Sequence, residues 1–128
     1  MSLHPTLAVL AALNMFVAVG AGAFGAHALK RSLSAEMLAV WQTAVTYQMV
    51  HALGILFLSL AAVRVGGHLY ALAAWMMCAG VVLFSGSLYL LSTTGWRMLG
   101  PVTPLGGLAL LAGWLTVAWA AYRSSQAT

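Results

Sequence analysis

The residues of this chain whose chemistry could bind or activate something are His27, Tyr47, Gln48, His51, Ser85, Ser87, Tyr89 and Thr103. A neutral imidazole is a common metal or haem ligand. A serine beside a base can be a nucleophile. All eight can also simply hydrogen-bond one another. In the stretch Trp41 to His51, Thr43, Tyr47 and His51 fall at i, i+4 and i+8 with Gln48 beside them, so a helix would put them on one face. Ser85 and Tyr89 repeat the i, i+4 spacing further along. A histidine within an apolar helix must find a partner. The first reading of this set is a hydrogen-bonded plug that fixes helix register, each interhelical bond contributing about 0.6 kcal/mol. The second is a pocket for a lipid head group or small polar ligand. The third is a metal or haem site using His27 and His51. A catalytic zinc usually takes three protein ligands, and no carboxylate or thiol accompanies this pair. His4 and His68 fall at the opposite face. Ser85 or Ser87 activated by His51 ranks last. No catalytic residue, metal ligand or cofactor is therefore assigned, and the chain is not expected to be an enzyme.

The surroundings of these residues are unlike those of a soluble domain. The chain has 128 residues, of which 63% are hydrophobic and 5% charged. A soluble domain carries about 25% charged residues because its surface must be wet. One acid, Glu36, and five basic residues cannot cover such a surface, so most of the solvent is lipid. The net charge of +4 is no nucleic-acid signature. Lys30, Arg31, Arg64, Arg97 and Arg123 are scattered between apolar runs, as residues flanking membrane spans are. Cys78 is the one cysteine, which leaves no intrachain disulfide and reads as a small buried hydrophobe.

Four apolar runs are spaced to cross a bilayer, at about 6–24, 44–63, 69–91 and 103–122. The first could pass for a secretory signal, but Met1 to Pro5 carries no Lys or Arg, so it is expected to be a retained span. Its Ala18, Gly22 and Ala26 repeat every four residues, and Asn14 on that face reads as an interhelical hydrogen bond. The glycine-rich stretch after Gly20 suits a tight turn or a close approach to another backbone. Ser32 to Glu36 reads as a capped helix start. The helix that follows, about Ala35 to Val63, spans roughly 43 Å at 1.5 Å per residue and so outreaches a hydrocarbon core of about 30 Å. Trp41 and Tyr47 suit its interfacial part. Arg64 to His68 reads as a polar turn. In the last run Gly106, Ala109, Gly113, Thr116 and Ala120 form a small-residue stripe, while Trp114 and Trp119 are expected to face lipid or the interface. These features predict an all-α, four-helix transmembrane bundle of up-and-down topology with an extended second helix, all within one domain covering 1–128. Basic residues divide too evenly between the two sides to orient it. In that topology the ends of spans one and three meet the starts of two and four. The eight residues named above are therefore expected in one polar cluster at one end of the bundle.

Several segments also carry a family resemblance. They are Gly22-Ala-Phe-Gly-Ala-His27, Trp41-Gln-Thr-Ala44 with Tyr47-Gln-Met-Val-His51-Ala-Leu53, Phe84-Ser-Gly-Ser-Leu-Tyr89, and Thr103-Pro-Leu-Gly-Gly107 with Gly113-Trp114. Together they resemble the YgdD family of small integral membrane proteins, domain of unknown function 423. The resemblance runs from about residue 5 to 120. It implies a four-span bacterial inner-membrane protein with no assigned activity. The expected partners are the lipid bilayer and either another membrane protein or further copies of the chain, but not nucleic acid. A structural or accessory subunit is the favoured role. A small transporter or ligand carrier built on the polar cluster is the alternative, and a haem or metal protein the third.

Overall fold

A computed structural model describes residues 4–64 and 67–127, apart from the side chains of Ala26 and Arg64. Among these residues four long helices follow one another: α1 (Pro5–Ala28), α2 (Ala35–Arg64), α3 (His68–Thr94) and α4 (Val102–Gln126). A 3-10 turn at Arg97–Leu99 precedes α4. All four helices are long and apolar enough to cross a membrane. Val65 and Gly66 of the expected polar turn, and Met1 to Leu3 before the first span, lie outside the described residues.

The helix ends follow from local chemistry. Pro5 opens α1, where its missing N–H costs nothing. At the start of α2 the Ser34 hydroxyl accepts the Met37 N–H at 3.1 Å, and Glu36 occupies the first turn, where the helix dipole favours an anion. Gly95 ends α3 at φ 69°, a left-handed cap whose N–H donates to the Leu91 carbonyl at 2.8 Å. The glycines after Gly20 make no turn. They stay helical to Ala28, and Gly25 serves the other purpose expected of them: a Cβ there would fall on the Trp41 indole.

The helices form an up-and-down bundle in which each packs on its chain neighbour. The α1 helix touches α3 only slightly, and among the described residues the backbones of α2 and α4, and of α1 and α4, are not in contact. The pairing of α3 with α4 keeps one register throughout. Ser87 meets Thr103, Gly106 faces the Phe84 backbone, Gly80 faces Leu110, and Gly113 faces Met77. Gly106, Gly113 and Ala120 of the α4 stripe are buried, so much of that stripe serves internal packing. Leu7, Ile55, Leu58, Ala74 and Met77 belong to the apolar core, which fills the half of the bundle where α1 begins and α2 ends. Of the buried polar residues Ser59 lies within that half, while Gln48, Ser85 and Ser87 occupy levels beyond it.

Candidate functional site

A ladder of side chains joins α3, α2 and α1. The Tyr89 hydroxyl donates to Gln48 Oε1 at 2.7 Å, Gln48 Nε2 donates to Asn14 Oδ1 at 3.3 Å, and Asn14 Nδ2 donates to the Leu10 carbonyl at 3.0 Å. Gln48 is 6% exposed. Tyr89 can reach it because long helical side chains lean back toward their helix N-terminus. The Tyr89 ring also meets Trp41 edge-on, with centroids 4.6 Å apart, and the Trp41 indole N–H donates to the Ala21 carbonyl at 2.9 Å. Gly25 leaves the room for that indole.

His51 belongs to a separate pair. Its Nδ1 lies 2.7 Å from the Tyr47 carbonyl, and its Nε2 lies 3.0 Å from the Trp114 indole nitrogen. An indole N–H only donates and a carbonyl only accepts. Both bonds therefore form together only when the imidazole proton is on Nδ1 and Nε2 accepts. The ring is 5% exposed, with both nitrogens occupied. A metal could take Nε2 only by displacing Trp114.

The remaining polar residues bind locally. Ser85 donates to the Ala44 carbonyl at 2.8 Å, tying α3 to α2. Ser87 Oγ donates to the Phe84 carbonyl at 2.9 Å and lies 2.6 Å from Thr103 Oγ1. With the Ser87 proton used on the carbonyl, Thr103 is the donor of that contact. These bonds leave Ser85 and Ser87 engaged with backbone carbonyls rather than with His51.

The single cluster expected at one end is thus several separate pairings at different depths. Gln48 joins Tyr89, Ser87 joins Thr103, Ser85 joins a backbone carbonyl, and His51 joins Trp114. The Tyr47 ring packs on Phe84 at 4.4 Å between centroids. His27 joins none of them and is exposed near the end of α1. Register is the cause. Trp41 is level with Ala21 and Gln48 with Asn14, which sets His51 level with about Ala11. His27 is then about 16 residues from that level, or about 24 Å at 1.5 Å per residue. The two histidines cannot serve one metal or haem within a chain. Among the described residues no group of three or more His, Cys, Asp and Glu side chains could hold a metal ion.

Trp114 keeps an exposed side, as expected of a residue facing lipid or the interface, but it also serves the interior, where its N–H is spent on His51. A signal for this exists in the chain. Interfacial tryptophans belong at span ends, whereas Trp114 sits midway along α4, where its N–H needs an acceptor. Asn14 bonds between helices, as its place on the α1 small-residue face predicts.

Four helices, each long and apolar enough to cross a bilayer, define a multi-pass α-helical membrane protein. The chain belongs to the family described as Protein of unknown function (DUF423), which matches residues 21–107. It is 46% identical over 116 residues to the UPF0382 membrane protein YwdK of Bacillus subtilis, covering 90% of this chain and 94% of that protein. It is also 46% identical over 107 residues to a UPF0382 membrane protein of Staphylococcus saprophyticus, covering 84% of this chain and 88% of that relative. No solved structure matches the chain. It is a bacterial membrane protein.

Proposed function

We infer that this protein is a non-enzymatic component of the membrane, a structural, binding or accessory subunit that presents a register-locked set of helices to a membrane-protein partner or to further copies of itself. The observation that carries this reading is the closure of the polar network. Tyr89, Gln48 and Asn14 spend their groups on one another, and His51 spends both nitrogens on Tyr47 and Trp114. A nucleophile, base or ion carrier needs a polar atom that is free to engage a substrate. A transporter working through these residues would need unpaired groups along a water path, and a paired ladder favours the structural role. Phe16 and Phe24 on α1 and Leu108 and Leu115 on α4 stand exposed, which suits lipid and neighbouring helices alike.

Native mass spectrometry of the protein released from its own membrane in mild detergent tests this. The expected result is a homo-oligomer, or a stoichiometric second polypeptide, retained alongside a lowered melting temperature in His51→Ala. A polar small molecule bound to the wild type and lost from His51→Ala would overturn the reading in favour of the carrier.

A further inference from the structure

Because α2 and α4 both rest on α3 without backbone contact between them, a gap remains over α3. It holds a groove of about 280 Å³ lined by Tyr47, His51, Phe84, Gly107, Leu111 and Trp114. A smaller hollow of about 120 Å³ adjoins it and shares Tyr47 and His51. Three aromatic rings wall the groove, and the imidazole in it has no free nitrogen. Tyr47 is different. It is 43% exposed, and its hydroxyl makes no hydrogen bond to any described residue.

The depth of Tyr47 makes that hydroxyl informative. The apolar stretch of α2 runs Ala35–Val63 with Tyr47 near its middle. The register with α1 sets Tyr47 level with about Met15, midway along the Pro5–Gly25 stretch, so it lies deeper than the interfacial place its residue type suggests. Lipid ester carbonyls stay at the edges of a hydrocarbon core about 30 Å thick, and water is absent from its centre. An acceptor for Tyr47 must therefore be brought to mid-membrane depth by the occupant of the groove. A partner helix, about 10–12 Å across, could reach into the groove only with a single side chain, whereas a flat ring fits and stacks on aromatic walls. Gly107 keeps the space open, since a Cβ there would meet only the Phe84 ring, at 3.8 and 4.0 Å.

We propose that this groove binds the ring of a membrane-soluble, quinone-class lipid, with a ring carbonyl accepting the Tyr47 hydroxyl proton and the apolar tail lying in the bilayer. The site binds; no electron transfer is assigned to it. The proposal stands apart from the structural reading above, because it rests on a mid-depth hydroxyl that the polar network leaves out.

The test uses the full chain in nanodiscs, with decylubiquinone as the ring-bearing probe and dodecane as a tail without a ring. Bound stoichiometry is read by native mass spectrometry and affinity by titration. The expected result is saturable binding of one decylubiquinone per chain and no retention of dodecane. Tyr47→Phe keeps the ring and removes a hydroxyl that bonds nothing among the described residues, so its melting temperature should not change. It should weaken binding about tenfold, the worth of one good hydrogen bond. Gly107→Leu should abolish binding by filling the groove. Three results would each overturn the proposal: no saturable binding, equal affinity in Tyr47→Phe, or retention of a polypeptide that Gly107→Leu releases.

Discussion

The Gln48 rung is the place to measure what the polar ladder contributes. Gln48→Leu keeps a similar volume and removes two interhelical bonds, to Tyr89 and to Asn14. Interhelical hydrogen bonds in membrane bundles average about 0.6 kcal/mol and reach about 1.7. The 2.7 Å bond from Tyr89 belongs in the upper part of that range and the 3.3 Å bond to Asn14 in the lower. A loss of about 1–2 kcal/mol follows from the two together. Leu is also more at home in lipid, so the raw change mixes hydrogen bonding with solvation. A double-mutant cycle of Gln48→Leu with Tyr89→Phe, read by reversible unfolding in mixed micelles, separates them. The coupling energy should be about 0.6 kcal/mol or more. The same cycle with Tyr47→Phe should show no coupling, because Tyr47 is bonded to neither residue. Zero coupling between Gln48 and Tyr89 would refute the argument that the ladder ties α2 to α3.

Gly106→Ala should destabilise the protein by about 1–3 kcal/mol, since its Cβ would overlap the Phe84 backbone. Gly107→Ala, one residue on, should be near neutral in the same unfolding measurement. Gly25→Ala should displace the Trp41 indole and its bond to Ala21, seen as a shifted tryptophan emission and a lower melting temperature. A Cβ added at Gly20 would meet nothing within 4 Å, so Gly20→Leu should leave monomer stability unchanged. If α1 carries the partner surface, the same substitution should dissociate the assembly in native mass spectrometry. Gly95→Ala should cost about 1–2 kcal/mol, because its φ of 69° is left-handed.

What the sequence reveals about the fold is what lipid enforces. A bilayer requires long apolar helices, so four such runs with short connections leave few alternatives to the bundle. Short connections also put Ser87 beside Thr103 and bring Tyr89 within reach of Gln48. Register is not legible. Topology says which helix ends are neighbours, but the level at which His51 meets α1 is set by contacts such as Gly25 against Trp41. Those depend on packing across separate helices. For that reason the sequence groups His27 with His51 although their levels are far apart. Trp114 reads as a lipid or interface residue because its type suits that role, while its indole N–H in fact bonds His51 midway along the bundle.

The unbroken register between α3 and α4 has a mechanical consequence. Gly80, Gly106 and Gly113 bring the two helices close at several levels, so neither can slide along the other without a steric clash. When the surrounding bilayer thins or thickens, this pair should change its tilt as one rod, because tilting is the response open to a helix whose length is fixed. The first helix is tied to α2, by Trp41, Gln48 and a backbone bond from His4 to Ser59, but touches α3 only slightly, and so can shift relative to the α3–α4 pair. Membrane thickness would then be felt as a change of angle between α1 and the α3–α4 pair, with α2 and its ladder as the hinge between them.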